Sequence, residues 1–571
     1  MKVSQLIIFG LCFNLGLLFS QETIIVPDDY STIQMALDSA SARDIILVAP
    51  GIYHENIRWP RRRNLTLKSM EGSGQTIIDG ANNGRVIEIE ELDETSILDG
   101  FTIQNGIHDD GGAGIFATQS SMNFKNLVIQ DNRGIGSDVD GAGMWLLSCS
   151  GRLDSCQFFN NTIDASTTGS GAGLHIRLNN DIVIDGCTFD RNECEAGETS
   201  QGGAMFLYFH GVNFVGLPPL VIIRNSTITN NSISGGHESG GGFKLWSFGT
   251  PTEVRIDSST FSNNKCTGAI SYGGGLHTYD HVDLILTNSV INENSAGSGA
   301  GMYLNGHVEN GTLDMLNCIV RKNNPSNNLT SAAIELYRKI DCSLNNCEIS
   351  HNTGGAFTSE NLSSHSTVNL FNSTIAFNQR PLHIRKTTLS VNNSILWNNN
   401  SSEVMQHSFD NDNDIIITNS LVNGGFSGTN ILSSDPLFTS DEELIPTQES
   451  PCINAGTERI NRSTDLLGNP RPLPVGTRQD LGCYEVDQEL ISSTKESDTL
   501  VDISIYPNPT SDYLYVSEIV DQVQLYDIKG QLVKVTQQTS QVPLKDLSSG
   551  NYIVKIMNDG QSRSESLIIN R

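Results

Sequence analysis

The chain repeats itself, and that repetition restricts its fold more than anything else in it. Between about residues 75 and 425 one module recurs: a Gly-rich opening, a short alternating run, a loop, a second alternating run, then Asn. Instances are GAGMWLLS with LDSCQFFNN, GAGLHIRL with IVIDGCTFDRN, GGGFKLWS with VRIDSSTFSNN and GGGLHTYD with LILTNSVINEN. The closing residues read as Asn132, Asn161, Asn192, Asn231, Asn264, Asn294, Asn324, Asn352, Asn378 and Asn398, spaced 20 to 39 residues apart. A period of that size denotes stacked units that share one core. Apolar residues alternate with polar ones within each short run, which is the period of strands and not of helices. The chain is therefore all-β, and each module is one coil of a solenoid.

Stacked coils place equivalent residues one above another at the inter-strand distance of about 4.8 Å, so like side chains form columns. The Asn column suits an internal amide ladder, because each amide both donates and accepts. A second column reads Cys156, Cys187, Ser226, Ser259, Ser289, Cys318, Cys347, Ser373 and Ser394. Thiol and hydroxyl interchange there, so these cysteines are small buried fillers and not disulfide or metal ligands. Extra residues around 207–219, 246–253 and 304–312 all follow the Gly-rich strand, which marks one corner as the loop-bearing side.

On the Gly-rich strand Ile115, Met144, Leu174, Met205, Phe243, Leu276, Met302 and Ile334 are predicted to point inward. Their successors Phe116, Trp145, His175, Phe206, Lys244, His277, Tyr303 and Glu335 then point outward. So do Thr118, Leu147, Arg177, Tyr208, Trp246, Tyr279, Asn305 and Tyr337. One face is thus predicted to expose aromatic rings among polar groups, a surface on which sugar rings stack. The candidate substrate-binding residues are Trp145, Phe206, Tyr208, Trp246, Tyr279, Tyr303 and Tyr337. The competing account is that such external ladders only cover and stiffen the sheet.

The charge balance narrows the partners. Lys plus Arg total 35 against 64 Asp plus Glu, a net charge of −29, which repels phosphate backbones and anionic lipid. Nucleic acid and membrane surfaces are excluded as partners. An acidic glycan would need Ca²⁺ as a bridge. No cofactor and no protein-held metal are indicated. Asp410, Asp412 and Asp414 lack the Gly and distal Glu of a calcium loop, and His108–Asp109–Asp110 reads as a turn. Residues 1–20, with Lys2, an apolar run and Ser20, read as a signal peptide, and no later stretch is apolar enough to span a bilayer. A monomer is expected.

Two stretches resemble known families. IIVPDDYSTIQMALDSASARDIILVAPGIYHENI resembles the N-terminal cap (about 22–60) of right-handed parallel β-helix proteins, the pectate lyase-like superfamily. A short helix over Thr32 to Ala42 would close the end of the tube. The resemblance covers about 22–430 and implies the fold. At the other end, SIYPNPTSDYLYVS, LYDIKGQLV and GNYIVKI resemble the type A sorting domain of type IX secretion in Bacteroidetes, through Tyr506, Pro507, Asn508 and Pro509. That implies a small β-sandwich over 501–571, handled by the type IX machinery, and a chain secreted or held at the outer-membrane surface. Residues 431–486 form a tail module, and an acidic linker covers 487–500. In an exported chain Cys452 and Cys483 are expected to pair as a disulfide.

Catalysis stays open at this level. A lyase needs a base and a cation, for which His175, Arg177, Lys244 and His277 are the candidates. Hydrolysis needs two carboxylates, and Glu335 is the sole acid in the outward columns. No paired-acid or Gln/Asp signature of β-helix hydrolases or esterases is found. The expectation is a protein that binds extracellular polysaccharide. A polysaccharide lyase or glycoside hydrolase and a non-catalytic adhesin are the alternatives.

Overall fold

The computed structural model describes residues 21–570 apart from 179–180, 211–218, 269, 327–330, 362–364, 381, 401–402, 407–411, 458–463, 475–476, 488–502, 509, 528–530 and 559–560. The signal peptide, Pro509, Asp410, most of the linker and the tip of the 207–219 insertion therefore lie outside the described residues. The chain falls into two compact units, one reaching Leu444 with Leu481–Cys483, the other comprising Ile445–Asp480 and Tyr484–Arg571.

The first unit is a parallel β-solenoid of about 12 turns. Each turn contributes a strand to three walls. Wall A holds the Gly-rich strands, including Ile115–Thr118, Met144–Leu147, Leu174–Leu178 and Met205–His210. Wall B holds Asn123–Lys125, Gly151–Asp154, Ile182–Asp185 and Leu220–Arg224, and wall C holds Val128–Gln130, Gln157–Phe159, Thr188–Asp190 and Thr227–Thr229. In four coils one strand runs through both A and B: Phe243–Asp257, Leu276–Thr287, Met302–Leu316 and Ala332–Asn345. Their ladders shift register at Ser247/Thr252, Tyr279/Asp283 and Gly306/Gly311, so the insertions around 246–253 and 304–312 occupy the A–B corner.

Register on wall A follows the sequence columns: Ile115, Met144, Leu174, Met205, Phe243, Leu276, Met302 and Ile334 pair in succession and are all fully buried. The helix is shorter than predicted, Ile33–Ser39. Thr32 caps it by accepting from the Met35 N–H, and the Glu55 carboxylate accepts from the Ile33 and Gln34 N–H groups at 2.9 Å each. Ile33, Ala36 and Leu37 plug the end of the tube.

The amide ladder exists with two corrections. It runs through Asn132, Asn161, Asn192, Asn231, Asn264, Asn294, Asn323, Asn352, Asn378 and Asn399, so Asn323 and Asn399 replace the expected Asn324 and Asn398. The turn decides between neighbouring Asn residues. The residue before each rung is left-handed, with φ of +55° at Lys322 and +55° at Asn398, and the rung is the residue that follows. Asn231 is typical: Nδ2 donates to Asn264 Oδ1 at 2.9 Å and to the Phe189 carbonyl at 3.0 Å. Past Asn399 the file ends on the buried Glu403, whose carboxylate accepts from both the Asn399 N–H and Nδ2.

The small column is buried as expected and continues to Ser420, each Ser Oγ accepting from a backbone N–H one coil back. Its cysteines donate to carbonyls, as Cys318 does to Leu316 at 3.3 Å. Burial pushes the Cys149 and Cys194 thiols up to about 12, so neither is a nucleophile near neutral pH. Cys452 and Cys483, the pair expected to form a disulfide, are both fully buried.

A nine-stranded side sheet was not anticipated. It lies between the Asn turn and the next Gly-rich opening and includes Arg133–Asp140, Thr162–Ser170, Glu193–Gln201 and Ser232–Ser239. Its own apolar layer is thin, with Ile163, Ala165, Cys194, Ala196 and Ile233. Runs such as TIDASTTGS therefore show little hydrophobic period.

In the second unit, residues 505–569 form one five-stranded antiparallel sheet curled into a half-barrel over Leu514, Val523, Leu525, Val554 and Ile556. Asn508 of the sorting motif is exposed but fixed: Nδ2 donates to the Ser566 carbonyl at 2.7 Å and Oδ1 accepts from the Ile568 N–H at 2.9 Å. Tyr506 pairs with Tyr515, and Tyr506 and Pro507 are exposed.

Asn264→Ala should leave the Asn231 backbone N–H buried without its acceptor and remove one acceptor from the Asn231 side-chain amide. We expect a loss of about 3 kcal/mol, read as a lower denaturant midpoint at unchanged slope.

Candidate functional site

Wall A carries the outward columns in the predicted register: Trp145 pairs with His175, His175 with Phe206, Phe206 with Lys244, Lys244 with His277, His277 with Tyr303 and Tyr303 with Glu335. Their exposure differs from expectation. From His175 to Glu335 the first column is only 3% to 8% exposed, because the ends of the side-sheet strands fold across it. The second column, with Tyr208, Trp246, Tyr279, Asn305 and Tyr337, is half-buried, and Arg177 is exposed. The Gly-rich openings make the fold-over possible. At Gly240 and Gly273 φ is +72° and +65°, and an added Cβ would lie 2.6 Å and 2.4 Å from backbone carbonyl oxygens of the next strand.

The result is a groove floored by rings. Phe116 and Trp145 lie 5.0 Å apart, Tyr208 and Trp246 5.2 Å, Trp246 and Tyr279 5.5 Å, and His277 and Tyr303 5.2 Å. Lys244 Nζ stands 5.7 Å from both Phe206 and Trp246, and the Arg177 guanidinium 5.6 Å over Tyr208.

The four residues proposed for chemistry form two pairs, not one cluster. His175 meets Asp140 of the side sheet at 2.9 Å, while Arg177 faces solvent. Burial works to raise the Asp140 carboxyl, but His175 and Ser170 outweigh it and hold it below its usual value. Lys244 and His277 sit further along, on adjacent rungs, with Phe206 separating the pairs.

Lys244 and His277 open into a cleft of about 460 Å³ that also takes in Tyr303, Glu335, Tyr337 and Glu360. Lys244 Nζ donates to Gln201 Oε1 and Ser239 Oγ, both at 2.6 Å, and burial pulls it down to about 7. Burial, then Lys244, holds His277 well below its usual value, so it is neutral. Glu335 is pushed up to about 8 by burial and then by Glu360. Both His277 ring nitrogens and Glu335 Oε2 are buried without a hydrogen-bond partner. Orphaned polar atoms at a cleft are what a ligand's hydroxyl groups would satisfy.

A larger cleft of about 740 Å³ lies further along wall A over Glu88 and Phe116. Its arginines are matched by acids of the same lining, Arg58 to Glu88 at 3.2 Å, Arg85 to Glu88 at 3.5 Å and Arg61 to Glu90. His108, Asp109 and Asp110 do converge, with ligand atoms within 4.8 Å of one another, but Arg85 already occupies Asp110.

Sequence reasoning missed Glu360 and the side-sheet residue Tyr272, which lies 4.8 Å from Tyr303. Glu360 had a signal. GGAFTSE is one more Gly-rich opening, and Glu360 pairs with Tyr337.

Residues 50–255 match the family model described as right handed beta helix region, and residues 504–570 match that of the secretion system C-terminal sorting domain. The chain thus carries a right-handed β-helix region and a C-terminal sorting domain of the type IX kind. It is therefore delivered to the cell surface or the extracellular space, and among the described residues no helix is long and apolar enough to cross a membrane. Solved structures similar to this β-helix protein include a pectin methylesterase from carrot, with 13% identity and a TM-score of 0.27 over 47% of this chain and 81% of that one. Another is the A-module of the Azotobacter vinelandii mannuronan C-5 epimerase AlgE6, with 14% identity and a TM-score of 0.29 over 71% of this chain and 94% of that one. No curated protein matches the chain.

The buried acid has a measurable consequence. Between about 4.5 and about 8 the folded state holds a proton on Glu335 that the unfolded state has lost, so stability falls as pH rises through that window. Lys244 acts oppositely between about 7 and 10.5, where the unfolded chain holds the extra proton and stability rises. Glu335→Gln should therefore raise Tm relative to the parent chain by a margin that grows from pH 5 to pH 8, measured by thermal melts.

Proposed function

We propose that this exported β-helix protein binds an extracellular polysaccharide laid along wall A, parallel to the solenoid axis. The observation that carries the reading is the run of half-buried rings Tyr208, Trp246 and Tyr279, spaced 5.2 Å and 5.5 Å, beside a cleft holding orphaned polar atoms. Consecutive coils rise by about 4.8 Å, close to the length of one sugar unit, so successive rings meet successive residues of one chain. Rings supply stacking area, and the polar side chains between them supply bonds to hydroxyl groups.

Trp246→Ala and Tyr279→Ala should each weaken retention by about tenfold or more, following the loss of one stacking platform of about 1.5 kcal/mol. Trp397→Ala, on wall C, should leave retention unchanged. Affinity electrophoresis of the mature chain through gels containing single polysaccharides measures all three. Retention unaffected by the wall A changes would overturn the assignment.

A further inference from the structure

We propose that a cavity between wall C and the segment following the last coils binds a small organic ammonium ion, through aromatic faces and carboxylates. The site is separate from the ring file on wall A and does not depend on it.

The cavity measures about 440 Å³. Phe377, Trp397 and Asn398 line it from wall C, and Asp435, Leu437, Phe438 and Asp441 from the segment that crosses that wall. The crossing segment is tied down on both sides of the cavity. The Phe438 ring lies 6.2 Å from Phe377, tilted by 56°. Glu442 reaches Lys322 at 2.8 Å and Arg321 at 3.5 Å, two coils before Phe377. A local turn stiffens it, with Thr439 Oγ1 donating to the Glu443 carbonyl and Ser440 Oγ accepting from the Glu443 N–H, both at 3.0 Å.

The rings stand where the repeat does not call for them. Trp397 takes the outward position on wall C that the preceding coils give to Arg321, Ser350 and Ala376. Phe377 takes the left-handed position before the rung Asn378, with φ of +55°. Every other coil of the amide file has a polar residue there, Asn160, Asn230 and Asn263 among them. Asn tolerates that backbone by bonding locally, whereas an aromatic ring gains nothing from it. The ring at 377 thus serves the surface and not the turn. Phe377, Trp397 and Phe438 are all half-buried, with part of each still open to a guest.

Charge selects the guest. Asp435 and Asp441 are exposed, the lining has no Lys, Arg or His, and among the described residues neither carboxylate is paired with a cation. Asp435 Oδ1 accepts only from the Leu437 N–H of its own loop, at 2.8 Å. The bases nearby are engaged elsewhere. Arg321 and Lys322 are held by Glu442, and His351 stacks on Phe377 at 5.5 Å. A neutral guest would leave both carboxylates uncompensated, and an anion would be repelled by them. An inorganic cation keeps its water and gains little from rings. An alkylammonium ion is weakly hydrated and presents C–H groups that carry its charge, so it suits aromatic faces and acids together.

Proton saturation-transfer NMR on the full mature chain tests this with tetramethylammonium and choline, beside neohexyl alcohol, in which carbon replaces the choline nitrogen. Both cations should receive saturation with a dissociation constant of about 1 mM, and the alcohol should bind at least tenfold more weakly. Trp397→Ala and Asp441→Asn should each weaken choline about tenfold, and Trp397→Phe should restore part of what alanine loses. Raising salt from about 50 mM to about 500 mM should weaken the cations severalfold and leave the alcohol unchanged. Asp441 is exposed, so an unchanged Tm in Asp441→Asn shows that its loss is not unfolding. Equal binding of choline and the alcohol would make the cavity merely apolar and overturn the proposal. So would the absence of transfer to either cation, or undiminished choline binding in Trp397→Ala. Loss of polysaccharide retention in a folded Trp397→Ala chain would make the cavity a sugar subsite and overturn it as well.

Discussion

The backbone of each coil can be satisfied only by the coils above and below it. Parallel strands leave every N–H and C=O pointing along the tube axis, so a coil that slips by one residue loses its ladder and turns its apolar side chains outward. The Asn file enforces the register at one corner, since each amide donates to the amide of the next coil and to a wall carbonyl, and a slipped coil would strand both. The Ser and Cys column does the same at a second corner with smaller groups. Everything on the outer surface inherits that alignment.

Inheritance explains how a site arises on such a scaffold. Once wall A is in register, one outward position becomes a straight line of side chains, and the side sheet converts that line from a surface into a buried floor. Ionisable groups that would be ordinary on an open face are moved by burial: Lys244 down, His277 down, Glu335 up. The side sheet does this without contributing much core of its own, so its strands can vary in length while the tube behind them keeps its packing.

What was readable from sequence follows the same division. The repeats, the inward residues and the vertical order of Trp145, Lys244, Tyr303 and their neighbours are properties of period and spacing, and the structure has them in that order. The side sheet escaped because TIDASTTGS and SISGGHES bury one shallow face and look like loops to a hydrophobic pattern. The burial of the first outward column escaped with it, and so did the upward push on the Glu335 carboxyl. Asn323 and Asn399 were displaced by one residue because adjacent Asn side chains are chemically identical, and only the left-handed backbone before the rung distinguishes them. Glu360 was readable in GGAFTSE but sits in a shorter coil.

Glu403 gives the last coils a meaning of their own. A stack of identical amides has no intrinsic terminus, and its final member would offer an open donor to whatever strand came next. A carboxylate there accepts from the Asn399 backbone N–H and from its Nδ2 and has no N–H to pass on, so the file ends on it. The file thus stops one coil short of the last wall strands, Asp414–Val422 and Thr429–Leu432, which stack on without it.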